Sequence, residues 1–359
     1  MKKIDLQKIG LTDRIRDEAK AYAGLYLGRV SAQSKGLYRV LTETGELTAE
    51  VSGKFRYQAS NPADFPAVGD FVLVDRTTDR NGHGVIHHVL TRKSVFARKA
   101  AGETDALQIV ATNIDTVFLC MALNQDFNLR RLERYLAIAW DSGATPVVVL
   151  TKADLCGDLE DKLRQVSTVA VGVEILTTSS VSADGYLLVK KYLQEGQTVA
   201  FLGSSGVGKS TLINRLLGGE VIATNETRKD GKGRHTTTRR QMIILPEGGI
   251  VIDTPGMREL GIVGADLGKS FADIDELATQ CKFRDCTHGA EPGCAVQQAI
   301  KEGSLGADRV ESYKKLQKEA KYEGLNAKQI EKEKLNRMFK DFGGMKNARK
   351  YIKEKTRHR

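Results

Sequence analysis

Gly203-Ser204-Ser205-Gly206-Val207-Gly208-Lys209-Ser210, preceded by the apolar run Thr198-Val199-Ala200-Phe201-Leu202, decides the fold of this chain. The octapeptide fits the phosphate-binding loop pattern, and the run before it reads as a buried strand. In such a loop successive backbone N–H groups curl around a β-phosphate, and glycines keep side chains out of the cradle. Lys209 is expected to reach the β- and γ-phosphates and the Ser210 hydroxyl to ligate Mg²⁺. Ser210, Thr211 and the residues up to Leu217 continue as a helix, so strand, loop and helix agree on a nucleotide polyphosphate site.

Upstream, Pro146-Val147-Val148-Val149-Leu150 runs into Thr151-Lys152-Ala153-Asp154, a Lys-x-Asp at the carboxyl end of a predicted parallel strand. Open α/β sheets bind ligands at that edge. The Asp154 carboxylate can accept two hydrogen bonds from N1–H and N2–H₂ of guanine. Adenine offers no such pair, so the residue selects GTP over ATP. Lys152 would lay its aliphatic stem along the base. Val173 to Leu176 leads into Thr178-Ser179-Ser180, a loop placed over the base. Downstream, Gly249-Ile250-Val251-Ile252-Asp253 is a further apolar strand that ends in Asp253-Thr254-Pro255-Gly256. Its carboxylate is suited to hold Mg²⁺ through water, and the Gly256 N–H to sense a γ-phosphate. Between them lies Gly231-Lys232-Gly233-Arg234-His235-Thr236-Thr237-Thr238, a basic, Gly-rich stretch. One of its threonines is expected on Mg²⁺, and the sequence does not say which.

The guanine-specificity element thus precedes the phosphate loop, whereas translation-factor-related GTPases carry it afterwards. The order of the other runs agrees with a circular permutation: apolar Ile114 to Ala122, helical Leu129 to Trp140, and a helix from Tyr186 to Leu193 delivering the chain to the phosphate-loop strand. With these motifs, and with the Gly-Arg-His-Thr-Thr-Thr run at 233–238, the chain resembles the RsgA (YjeQ) family of circularly permuted GTPases. The resemblance covers most of the chain. It implies GTP and GDP as ligands, the small (30S) ribosomal subunit and its 16S rRNA as partners, and a checkpoint or release step in late small-subunit maturation. Thr151 departs from the commonest guanine motif, in which Asn is usual there, and its shorter side chain is expected to brace the neighbouring loops less without removing the Asp154 contacts.

At 359 residues the chain suits two or three domains. The expected architecture is multi-domain α/β. An extension (1–20) leads into an OB-fold β-barrel (21–92), and the circularly permuted P-loop GTPase domain (93–264) follows. A helical zinc-binding domain (265–308) and a basic helical tail (309–359) complete the chain. From about Ala21 to Leu90 five short strands separated by turns suit a small barrel, and the resemblance implies an OB-fold there. Arg29, Arg39, Lys54 and Arg56, interleaved with Tyr38, Phe55 and Tyr57, offer stacking and phosphate contacts to RNA. In a barrel serving only as a spacer the aromatics would be core. Ser94 to Gly102, with Arg92, Lys93, Arg98 and Lys99 close by, reads as a linker. After a helix from Asp266 to Gln280 come Cys281, Cys286, His288 and Cys294. Three thiolates and one imidazole suit tetrahedral Zn²⁺, and four protein ligands leave no open position, so the site should be structural.

Five cysteines, an odd number, argue against a disulfide framework and leave Cys120 and Cys156 as thiols of the nucleotide domain. No apolar stretch approaches about 20 residues, and Met1-Lys2-Lys3-Ile4-Asp5 lacks the apolar core of a secretory signal. A cytoplasmic protein without membrane association is expected, and nothing demands more than a monomer. The net charge of +10 is concentrated at the end, where residues 309–359 hold 17 Lys/Arg against 7 Asp/Glu. Such a block suits phosphate-backbone contacts, although mixtures such as Glu331-Lys332-Glu333-Lys334 also fit a solvated helical face.

The expected chemistry is GTP hydrolysis by an in-line water, with Lys209, Mg²⁺ and loop N–H groups stabilising the transferring phosphoryl group. Met257 stands where a Ras-like enzyme has its water-positioning Gln, so His235 is the candidate substitute. The competing role for His235 is a solvent or RNA contact. Two other classes compete with this reading: an RNA-binding assembly factor gated by nucleotide, with hydrolysis incidental, and an ATP-using kinase or ATPase, which Asp154 opposes.

Overall fold

The computed structural model describes residues 3–34, 36–79, 82–99, 107–179, 185–219, 240–253 and 267–321. A short helix, α1 (Asp13–Ala19), capped by the Thr12 hydroxyl, precedes a barrel of β1 (Tyr26–Ser34), β2 (Leu37–Thr42), β3 (Gly45–Val51), β4 (Phe71–Val74) and β5 (Gly84–Val89). Pairing runs β1-β2-β3-β5-β4 and returns to β1, so the sheet closes. Closure removes the free edges that an open sheet would expose. The pleat sends Leu47, Ala49 and Val51 of β3 inward, beside Val30, Val40, Val72 and Ile86, while Glu46 and Glu50 face out. Helix α2 (Gly53–Gln58) follows β3, its first turn capped by Ser52. Gly69 turns the chain into β4 with φ +99°, and a Cβ there would lie 2.1 Å from the Thr112 carbonyl oxygen. Only glycine fits that approach.

Two basic-aromatic assignments are corrected here. Arg29 is 1% exposed and Tyr38 3% exposed. Tyr38 packs into the barrel core, and Arg29 is enclosed where the barrel meets the nucleotide sheet, so neither is open to RNA. Lys54, Arg56 and Tyr57 remain on the surface of α2, and Arg39 is exposed and pairs with Glu46. The predicted linker is also different: β6 (Val95–Lys99) forms an antiparallel hairpin with β7 (Leu107–Thr112), and Arg92 pairs with fully buried Asp70 at 2.8 Å.

The nucleotide sheet contains β8 (Thr116–Ala122), β9 (Thr145–Thr151), β10 (Glu174–Thr177), β11 (Thr198–Leu202), β12 (Arg240–Ile244) and β13 (Ile250–Asp253). Its order is β10-β9-β8-β11-β13-β12, parallel from β10 to β13, with β12 antiparallel at the end. Every residue of β8 is buried, which is why its sequence is a continuous apolar run rather than an alternation. Helices α3 (Leu129–Ser142), α4 (Leu159–Val169), α5 (Leu187–Lys190) and α6 (Lys209–Leu217) connect the strands. Asn128 caps the start of α3, and Gly143, at φ +84°, ends it. The helix expected over Tyr186 to Leu193 is a single turn, α5. Strand β12 also pairs with β1 (Ala32 opposite Gln241), so barrel and nucleotide sheet form one eleven-stranded sheet.

The last described part is helical: α7 (Ala272–Thr279), shorter than expected, α8 (Ala295–Lys301) and α9 (Ala307–Lys321). Arg309, counted in the basic tail, is not a free cation. It is 6% exposed, holds Asp273 through two nitrogens at 2.7 and 2.8 Å, and reaches Glu133 of α3 at 3.0 Å. The remainder of the tail, 322–359, lies outside the described residues. Among the described residues no helix is long and apolar enough to cross a membrane.

Candidate nucleotide site and metal centre

The phosphate loop leaves β11 and enters α6. Gly206 and Gly208 have φ of +76° and +96°, left-handed values that turn the chain around the cradle. A side chain at Gly203 would place Cβ 2.5 Å from the Cys120 carbonyl oxygen of neighbouring β8. The Cys120 thiol itself is in the core, where burial pushes its pKa up to about 12. Lys209 Nζ donates to the carbonyls of Gly203 (2.7 Å) and Ser204 (2.6 Å), which curls its stem over the loop. Ser205 and Gly206 are exposed, Val207 is buried, and Ser210 and Thr211 lie in the first turn of α6.

The guanine-type motif sits two strands away, at the carboxyl end of β9. Thr151 is buried and donates from Oγ1 to the Val207 carbonyl at 2.6 Å. The short side chain ties the motif to the phosphate loop directly, because the two loops approach closely enough for a hydroxyl to span them. Lys152 has φ +59°, a left-handed value that is costly for a residue with a Cβ and that starts the turn Ala153–Leu155. The Ala153 N–H donates to the Thr178 carbonyl at 3.2 Å, and Ser179 Oγ to Asp154 Oδ1 at 2.5 Å. The loop after β10 therefore holds the Asp154 carboxylate, which is exposed and open to a ligand. Asp253 ends β13, the parallel neighbour of β11, so its carboxylate stands at the same sheet edge as Ser210. A carboxylate and a hydroxyl at one edge, beside a phosphate cradle, are the hard oxygen donors that suit Mg²⁺. Ser180, His235, Thr236 to Thr238, Gly256 and Met257 lie outside the described residues.

The second centre brings Cys281, Cys286, His288 and Cys294 together, with all four ligand atoms within 4.8 Å of one another. His288 Nδ1 lies 3.6 Å from Sγ of both Cys281 and Cys294, and those two sulfurs are 3.9 Å apart. A tetrahedral ion with Zn–S and Zn–N bonds of ordinary length gives edges of about 3.8 Å between sulfurs and about 3.6 Å between sulfur and nitrogen. The donor set therefore fits such an ion, with Nδ1 as the ligating nitrogen. Burial, and secondarily Lys314, push the His288 pKa below its usual range, which keeps the imidazole neutral as a ligand must be. His288 adopts φ +56°, and its carbonyl is held by Gln297 Nε2 (2.7 Å) and Lys314 Nζ (2.6 Å). Glu291 closes the loop beneath, accepting from the N–H groups of Thr287 and Gly289.

A parallel sheet, a phosphate loop and a Lys-x-Asp motif that comes before it in the chain together define a circularly permuted P-loop GTPase, flanked by a closed five-stranded OB-like barrel and a Cys₃His module. The RsgA GTPase family model matches residues 89–263. A relative from Lactiplantibacillus plantarum, "small ribosomal subunit biogenesis GTPase RsgA 2", is 54% identical over 353 residues, covering 98% of each chain. The crystal structure of YjeQ from Thermotoga maritima has a TM-score of 0.59 at 28% identity, covering 82% of this chain and 98% of its own. That of YloQ, described as a circularly permuted GTPase, has 0.58 at 26% identity, covering 83% and 96%. The chain belongs to the RsgA GTPase family and is a GTP-hydrolysing enzyme.

Proposed function

We propose that this chain is a ribosome-stimulated GTPase that docks on the small (30S) subunit through 16S rRNA, and that GTP hydrolysis drives a checkpoint or release step late in subunit maturation. The observation that carries the reading is the joining of the Thr151–Asp154 motif to the phosphate loop through the Thr151–Val207 hydrogen bond, in a chain whose 54%-identical relative bears the name of a small-subunit biogenesis GTPase. In this reading Asp154 selects guanine, Lys152 supports the base, and Ser179 with Ser180 forms the loop over it. Lys209 and the N–H groups of Gly203 to Ser210 bind the phosphates. Ser210 and Asp253 would hold Mg²⁺, whose chemistry there is to neutralise charge on the β- and γ-phosphates. Gly256 senses the γ-phosphate, and His235 orients the attacking water. The exposed Lys54, Arg56 and Tyr57 of α2 are the barrel's contribution to an RNA surface. Cys281, Cys286, His288 and Cys294 hold one structural Zn²⁺. The protein acts as a monomer in the cytoplasm.

The test is sedimentation of the purified protein with 30S subunits in the presence of a non-hydrolysable GTP analogue or GDP. Tighter association with the analogue is expected. Equal association with both removes the nucleotide-driven cycle. His235→Ala is expected to keep GTP affinity and lose turnover, whereas normal turnover assigns His235 to another contact.

A further inference from the structure

Apart from the nucleotide motifs, the loop between β8 and α3 sets a carboxylate against the phosphate loop. Asp126 Oδ2 accepts from Ser204 Oγ at 2.5 Å, across 78 residues of chain. Its Oδ1 lies 2.9 Å from Arg131 Nη2. Both sides of this pair are themselves fixed. The Asp126 N–H donates to Asn124 Oδ1 at 3.0 Å, and the Arg131 N–H to the Asn128 cap at 2.9 Å. Arg131 also donates to the Asp126 carbonyl. The carboxylate is therefore anchored through its own backbone and through a capped helix before it meets Ser204.

Ser204 is the second residue of the cradle. Gly203 before it packs on the Cys120 carbonyl, and the Ser204 carbonyl takes the Lys209 ammonium at 2.6 Å. Ser205 and Gly206, which follow, are exposed and have no core to hold them. A cradle that works by the direction of its N–H groups needs one backbone conformation, and a Gly-rich segment samples many. Arg131 answers a second problem. A bare carboxylate beside a polyphosphate would repel it, and the guanidinium neutralises that charge without removing the acceptor.

We propose that Asp126, held by Arg131, is a positioning residue that fixes the phosphate loop through Ser204, so that nucleotide meets a loop already shaped for phosphate. The effect falls on binding of both GDP and GTP, which share the β-phosphate, and leaves turnover at saturation largely unchanged. The inference rests on the chain being a GTP hydrolase and is independent of any ribosomal role.

Equilibrium binding of fluorescent GDP and GTP derivatives, with GTP turnover by the protein alone, tests it on the full chain. Asp126→Ala and Ser204→Ala are each expected to raise Kd for both nucleotides about tenfold, the scale of one charge-assisted hydrogen bond, and Asp126→Ala, which changes no residue of the loop itself, to keep kcat within about twofold. Asp126→Asn keeps an acceptor and should restore most of the affinity. The double variant should bind no more weakly than the poorer single variant, because the two residues act as one contact. Unchanged affinity in Ser204→Ala, which removes one oxygen from the loop and is free of any folding ambiguity at position 126, overturns the proposal. So do losses that multiply in the double variant. No ribosomal subunit is present in the assay, so either failure leaves the small-subunit reading standing, and failure of subunit stimulation leaves this one standing.

Discussion

Arg29 offers the sharpest test of how the barrel is joined to the nucleotide sheet. Its guanidinium is buried, stacks on Phe71 with 5.0 Å to the ring centre, and donates to four oxygens: Gly69 O (3.1 Å), Ile9 O (2.6 Å), Thr198 Oγ1 (3.0 Å) and Asn113 O (3.2 Å). These belong to the barrel, the N-terminal segment, the start of β11 and the turn before β8. Burial lowers its pKa to about 10, partly offset by Asp115 and Asp70, so the group is charged at neutral pH. In Arg29→Ala the Gly69 oxygen keeps the Asn113 side-chain amide at 3.0 Å, while the Ile9 and Asn113 oxygens lose the donor that the guanidinium gave them. Each such buried carbonyl costs about 1–3 kcal/mol. With the lost packing on Phe71, the expected destabilisation is about 3–5 kcal/mol, a large share of an ordinary stability margin. Urea unfolding followed through Trp140, the single tryptophan, reads the nucleotide domain directly. Arg29→Lys should fall between wild type and Arg29→Ala, since an ammonium has three donors and no planar fork. A loss below about 1 kcal/mol for Arg29→Ala would refute the reasoning, because two buried carbonyls left without donors destabilise by more than that.

Three further outcomes are expected. If the Cys₃His group holds the proposed zinc, Cys281→Ser or exhaustive chelation should lower the metal content and open the segment around α7 and α8 to protease, while a fully protected segment after metal loss would contradict a structural site. Hydrogen bonds, first from the Thr287 hydroxyl and then from backbone N–H groups, hold the Glu291 carboxyl at about 2, below its ordinary 4.5. Because that pKa is depressed in the folded protein, its stabilisation is complete above about pH 4.5 and is lost as pH falls towards about 2. The melting-temperature difference between wild type and Glu291→Gln should shrink over that window, and a pH-independent difference would contradict the assignment. Arg309→Ala removes the cation that Glu133 and Asp273 share, but Glu133 keeps Arg130 at 2.6 Å and Asp273 is partly exposed, so the expected cost is about 1–3 kcal/mol, with the helical module loosened from α3. Limited proteolysis between the two regions measures it, and an unchanged cleavage rate would count against the pairing as the tie between them.

The nucleotide site is legible in the sequence because its carriers are local. A five-residue apolar strand ending in a Gly-rich loop has few readings, and the cysteine spacing brings four ligands together within one loop and helix start. The parallel strands β8, β9 and β11 are legible for a related reason, being buried on both faces. What escapes depends on partners distant in sequence. Arg29, Tyr38 and Arg309 look like surface residues in one dimension, and their burial follows from oxygens, carboxylates and strands that the linear order does not place beside them. Strand β12 opens on Arg240-Gln241 ahead of the short apolar run Met242-Ile243-Ile244, and β13 and β1 flank it on either side. The β6–β7 hairpin reads as a linker because the cations around its first strand hide the alternation. Asp126 carries no motif at all, and its role follows from the proximity of its carboxylate to Ser204.

The central claim is tested most directly by GTP turnover of the purified protein alone, with 30S subunits and with 50S subunits, beside an ATP control. The account predicts slow turnover alone, strong stimulation by 30S subunits only, and no competition from ATP at matched concentration. Turnover that stays flat with 30S subunits, or that rises equally with 50S subunits, would contradict it.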